Sequence, residues 1–94
     1  MYFLNVVYHL KDGKREAFLE KIKELGIDEK VRKENGCLKY DYYFSDADKN
    51  ELLLVEMWES RDAQQLHIEQ EHMKQLRDFK DDFVESTELK VFEI

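Results

Sequence analysis

The chain has 94 residues, 43% of them hydrophobic and 13% aromatic, and a formal net charge of −7. That length fits one domain, which buries only about 60–65% of its unfolded surface and so has a modest core of its own. The charge, with 15 basic residues scattered among 22 acidic ones, argues against nucleic acid or anionic membrane as a partner.

Tyr2 to Leu10 is rich in Val, Leu, Tyr and Phe and ends at the turn signal Lys11-Asp12-Gly13, so it reads as a strand. It carries no basic leader and is too short to span a bilayer. From Lys14 the period changes. Phe18, Ile22 and Leu25 recur at helical spacing with charges between them, and Gly26 fits the stop. Ile27 to Lys33 can form a second short helical turn with Val31 inward.

Glu34-Asn35-Gly36 is the next turn signal. Strict alternation through the strand Cys37–Phe44 places Leu38, Tyr40, Tyr42 and Phe44 on one face and Cys37, Lys39, Asp41 and Tyr43 on the other. Ser45 to Asn50 is an all-polar connection. Glu51 to Glu59 is a near-continuous apolar run, which predicts a strand buried on both faces. Ser60 or Asp62 can cap the next helix. A last helix is expected from Glu71 to Val84, with Met73, Leu76, Phe79 and Phe83 inward, and a fourth strand from Thr87 to Ile94.

The predicted order is β-α-β-β-α-β, an α+β, ferredoxin-like four-stranded antiparallel sheet with helices on one face, in one domain over residues 1–94. The bare face still carries large apolar groups, so a second copy covering it in a homodimer is expected. The lone Cys37 precludes an internal disulfide and fits a reducing, cytoplasmic location. It comes after a turn glycine with only Lys39 nearby, so an inert thiol is expected.

Four features carry a family resemblance: Glu34-Asn35-Gly36-Cys37 followed by Tyr40, the strand end Glu56-Met57-Trp58-Glu59-Ser60, Ala63 with His67, and His72-Met73-Lys74. Their order and spacing resemble those of antibiotic biosynthesis monooxygenase (ABM) domains of the small quinol-monooxygenase type. The resemblance implies a dimeric α/β barrel, a last strand that reaches toward the partner, and a pocket between sheet and helices. It also implies one of three activities: oxidation of quinols or polycyclic phenols by O₂ without metal or flavin, haem binding and degradation, or isomerisation of a phosphorylated sugar. The chain departs from the family pattern at Gln70-Glu71, where Thr-Pro is usual. It departs again at Leu54, where one member type has an asparagine, and at Val6, with Asn5 one residue off the position that matters in the haem branch.

Within this frame the candidate catalytic residues are His72, His67 and Trp58, and the candidate substrate-binding residues are Tyr40, Tyr42, Tyr8 and Glu56. Trp58 can stack on a flat aromatic substrate or simply hold the next helix in the core. A histidine can accept a phenolic proton near pH 7, and His72 is the leading base. His67 and His72 lie five residues apart, about 140° around a continuous helix, so they share a face only if the helix breaks near Ile68–Glu71. No metal site is expected, because two ligands without a third do not make one, and the resemblance implies that no cofactor is needed. The three tyrosines can each orient a substrate oxygen or bury a ring. Glu56, an acid in an apolar run, is either paired with a base at a dimer interface or held in the pocket with a raised pKa. His9 and Asn5 share the face opposite Tyr8.

The reading is a cofactor-independent monooxygenase acting on a quinol or similar electron-rich aromatic, with O₂ as co-substrate. The alternatives are a haem-binding or haem-degrading enzyme, a sugar-phosphate isomerase using Arg61 and Lys74, and a non-catalytic dimeric module that binds a small ligand.

Overall fold

A computed structural model describes residues 1–94. The elements run β1 (Tyr2–Leu10), α1 (Arg15–Glu24), α2 (Ile27–Arg32), β2 (Cys37–Phe44), β3 (Glu51–Trp58), α3 (Arg61–Ile68), α4 (Glu71–Lys80) and β4 (Val84–Glu93). All neighbours in the sheet are antiparallel, in the order β2-β3-β1-β4, with helices packed on one side. This is the expected ferredoxin-like arrangement, with two short helices in each crossover.

Period-2 alternation decides which side chains enter the core. On β1 the even positions Tyr2, Leu4, Val6, Tyr8 and Leu10 are buried beneath the helices, and the odd positions are half-buried. Leu52, Leu54, Glu56 and Trp58 of β3 lie on the same side. Phe18 and Ile22 of α1, Val31 of α2 and Leu76 and Phe79 of α4 close the core over them.

In the single chain helices bury one face of β3 and leave Leu53, Val55 and Met57 half-exposed on the other. The sequence pattern misleads at two places. In β2 a register shift between Cys37 and Lys39 breaks the alternation. Cys37 therefore packs against the core opposite Trp58, while Leu38, expected on the face of Tyr40, is 48% exposed. The last helix ends at Lys80, not Val84. Phe83 does pack on Phe18 and Phe79, which is why the helical spacing persists so far. Its carbonyl, however, accepts from Lys11 N–H at 2.8 Å, and Val84 pairs with Leu10 as the start of β4.

Beyond Val84 every β4 residue is exposed. Leu89 and Val91 sit on the helix-facing side, yet no helix reaches them. No helix is long and apolar enough to cross a membrane.

Candidate active site

The strand end of β3 places two polar side chains inside an apolar layer. Glu56 and Trp58 point the same way, and Trp58 Nε1–H donates to Glu56 Oε1 at 2.9 Å. Trp58 is fully buried and Glu56 is 5% exposed. Ser60 then caps α3, its Oγ accepting from Ala63 N–H at 3.1 Å. The short helix carries His67 in its last turn, 2% exposed.

At Ile68 the helix stops. Gln70 is extended, with ψ 150°, and α4 restarts with His72 in its first turn. The break changes the rotation that a continuous helix would impose and brings both imidazoles to one atom. His67 Nδ1 lies 2.9 Å and His72 Nε2 2.7 Å from Oε2 of Glu34. An ionised carboxylate only accepts, so each of these nitrogens carries hydrogen when Glu34 is charged.

Glu34 stands on the bend between α2 and β2, where its N–H reaches the Val31 carbonyl. The close packing of this bend on α3 depends on Gly36. Its φ is +85°, and a Cβ there would lie 2.7 Å from Cβ of Ala63. The Gly36 carbonyl also accepts from Glu59 N–H at 2.8 Å.

The far side of His67 faces the strand. Its Nε2 is 4.0 Å from Glu56 Oε1, beyond a direct hydrogen bond but within charge-pair range. Its ring tilts over Trp58 with centroids 4.7 Å apart, and Tyr40 meets it edge-on at 5.7 Å. The result is a polar run through the apolar layer (Trp58, Glu56, His67, Glu34, His72), hydrogen-bonded except at the 4.0 Å step between Glu56 and His67.

Burial moves Glu56 and the inner imidazole in opposite directions. Burial raises Glu56 to about 7; the Trp58 N–H opposes the rise, and the Glu34 charge adds to it. Burial lowers His67, against the upward pull of Glu34. Near neutral pH a proton thus resides on Glu56 about as readily as not, while His67 favours the neutral ring. Burial likewise raises the hydroxyls of Tyr8, Tyr40 and Tyr42. Burial and the nearby charges of Glu34 and Glu56 push Cys37 up to about 11.

The sequence-predicted residues fall into two groups. His67, His72, Glu56, Trp58 and Tyr40 converge as described. Tyr8 instead packs edge-on against Phe18 at 5.4 Å, within the core. Tyr42 lies behind Tyr40 with ring centroids 5.9 Å apart, and the hydroxyls of both are buried without a hydrogen-bond partner. Glu56 sits on the helix side of the sheet, away from the bare face where a base across a dimer interface would stand. His9 is at the opposite face, bonded to Glu88 at 2.9 Å.

Of these candidates only Tyr40 borders a surface cleft, one of about 220 Å³ shared with Arg32, Cys37 and Lys39. Glu34 opens on another of about 160 Å³, lined also by Asn35, Ala63, Leu66 and Gln70. Glu34 is not among the sequence-predicted residues: it reads as part of a turn signal, and its histidine partners are 33 and 38 residues away. The only available sign was that Glu34-Asn35-Gly36-Cys37 belongs to the pattern shared with a family.

Comparison with known proteins bears on that pattern. The family model for antibiotic biosynthesis monooxygenase matches residues 1–78. Among solved structures, the chain is similar to a candidate antibiotic biosynthesis monooxygenase from Nitrosomonas europaea, with 26% identity, TM-score 0.90 and coverage of 100% of this chain and 98% of that one. It is also similar to a conserved protein of unknown function, a possible oxidoreductase, from Bacteroides thetaiotaomicron, with 25% identity, TM-score 0.86 and coverage of 99% and 96%. A conserved protein from Methanosarcina mazei shares the fold at 22% identity and TM-score 0.88, covering 98% of this chain and 90% of its own. No curated protein sequence matches. With the family model covering most of its length and the same split β-α-β architecture throughout, the chain belongs to the antibiotic biosynthesis monooxygenase family.

Proposed function

We propose that this protein is a monooxygenase that oxidises a quinol or other electron-rich aromatic with O₂. The observation that carries the reading is the single Glu34 oxygen shared by His67 and His72, set in a member of this family. In the metal-free protein Glu34 fixes the hydrogen on His72 Nε2, which leaves Nδ1 as the basic nitrogen. A carboxylate that fixes a histidine tautomer in this way also stabilises the imidazolium formed when the ring takes a proton. Deprotonating a quinol raises its electron density, and the resulting anion can reduce O₂ without a redox cofactor. In the overall balance one oxygen atom enters the ring and the other leaves as water. The four electrons required come from the quinol, which ends as a hydroxyquinone.

His67, Glu56 and Trp58 support this role from behind. Glu56 near half-protonation can exchange a proton with His67 after a small approach. The indole, having no exposed surface, acts here by holding Glu56 and backing His67; it could form a substrate wall only if α3 moved away from the sheet.

The same reading includes a homodimer in a reducing compartment. Phe3, Val7, Leu53, Val55 and Met57 form an apolar strip on the face without helices, and the exposed Phe92 of β4, paired with Phe3, extends it at the edge.

The test is oxygen uptake with a reduced naphthoquinol, compared with autoxidation and with His72→Ala. Uptake above autoxidation that falls by about 10²-fold or more in the variant is expected of a positioned base. Uptake no faster than autoxidation overturns the proposal.

A further inference from the structure

We propose that Glu34, His67 and His72 form a binding site for a divalent transition metal, with zinc as the reference ion. The three donor atoms come from three separate segments: a bend, the end of α3 and the start of α4. They are a carboxylate oxygen and two imidazole nitrogens, all within 4.8 Å of one another. Two histidines and a carboxylate supply the borderline nitrogen and oxygen donors that zinc takes, with a fourth position left for water.

The donors, now within 4.8 Å of one another, must shift to reach tetrahedral zinc geometry. Zinc bonds of about 2.0–2.1 Å in a tetrahedron hold neighbouring ligands roughly 3.3 Å apart. The two nitrogen–oxygen separations, 2.9 and 2.7 Å, would have to widen by about half an ångström. Glu34 lies on a bend rather than inside a helix, so its carboxylate can withdraw that far. All three side chains are mostly buried, at 11%, 2% and 12% exposure, which spares a bound ion competition from bulk water. The cleft beside Glu34, Ala63 and Gln70 gives a way in.

The surroundings of His67 add a second, independent argument. A ligating histidine characteristically presents its other ring N–H to a carboxylate, which fixes the tautomer and raises basicity. His67 offers Nδ1 to the site, and its Nε2 faces Glu56, itself held by the Trp58 indole. Metal binding moves the His67 hydrogen from Nδ1 to Nε2, where that carboxylate awaits it. No such arrangement surrounds His9, whose single partner Glu88 is exposed.

Metal and proton would compete for the same atoms, since an ion held by His72 Nε2 and Glu34 Oε2 displaces the hydrogen they share. The inference stands apart from oxygenation, because it is read from binding alone.

The experiment is titration of the full-length, tag-free, EDTA-treated protein with Zn²⁺ against a chromophoric chelator. Long-range ¹H–¹⁵N spectra of the imidazoles are recorded in parallel. One Zn²⁺ per chain is expected, with shifts confined to the ring nitrogens of His67 and His72. Affinity should fall at least a hundredfold in Glu34→Gln and in His72→Asn, and about tenfold in Glu56→Gln through the lost carboxylate behind His67. Far-UV circular dichroism verifies that the variants are folded. Should a variant not fold, the wild-type imidazole shifts decide the matter. Binding unchanged in folded variants, shifts at His9 instead, or no competition with the chelator overturns the proposal.

Discussion

Replacing Glu56 by glutamine tests the electrostatic account of the buried run directly. Glutamine keeps the shape of the side chain and an oxygen for the Trp58 N–H, but it cannot ionise. In the folded protein Glu56 titrates at about 7, against an ordinary value of 4.5. The folded state therefore holds this proton more tightly than the unfolded chain. The stability it contributes is fully present below pH 4.5 and is lost as pH rises through about 7. Between pH 5 and pH 8 the loss is about 2–3 kcal/mol, at 1.36 kcal/mol per unit. Solvent screens this group little, because the side chain is only 7% exposed. Burial lowers His67, which contributes the opposite slope: its stabilisation is lost as pH falls below the ordinary histidine range. Comparing wild type with Glu56→Gln isolates the acid. Urea denaturation at pH 5 and pH 8 should show the variant gaining about 2–3 kcal/mol on wild type at the higher pH. Parallel stability curves across that range would refute the claim that Glu56 is buried as a largely desolvated acid.

The geometry sets three further outcomes. Gly36→Ala combines a positive φ with a 2.7 Å approach to Ala63; it should cost about 2–4 kcal/mol, seen as a lower Tm, and should loosen Glu34 from the histidines. Cys37, pushed up to about 11 from an ordinary 9.0, should react with Ellman's reagent at pH 8 about a hundredfold more slowly than a free thiol; reaction at the free-thiol rate would contradict its place against the core. Leu53→Glu puts a charge in the middle of the helix-free face, so sedimentation should show wild-type dimers and variant monomers; monomers in both would remove the dimer from the proposal.

Much of the fold was legible because the sheet alternates cleanly where both neighbours are regular. Tyr2 to Leu10 and Leu52 to Trp58 place their even residues inward, as period 2 requires. Legibility failed where one extra residue entered a ladder, as at Leu38, since alternation carries no mark of a register shift. It failed again at Phe83, where apolar spacing suits helix and core alike, and pairing with β1 decided for the strand. At the site, the possible break after Ile68 could be read from the sequence, as could a raised pKa for Glu56. The acid that joins the two histidines could not. Glu34 meets them only because Gly36 lets a distant bend lie flat on α3, a contact that no local pattern encodes.

The two-residue joint of Glu69 and Gln70 between α3 and α4 makes chain length itself a functional variable. Glu69 and Gln70 lie between the helices and not within one, so their number sets the position and direction from which α4 starts. A single insertion or deletion in this joint would swing His72 off Glu34 while leaving the identity of every residue outside the joint unchanged. Among relatives, the count of residues between the two histidines should therefore separate chains that keep the shared carboxylate from those that have given it up. Two sequences with the same histidines and the same acid, but a joint of different length, would then carry different chemistry on one fold.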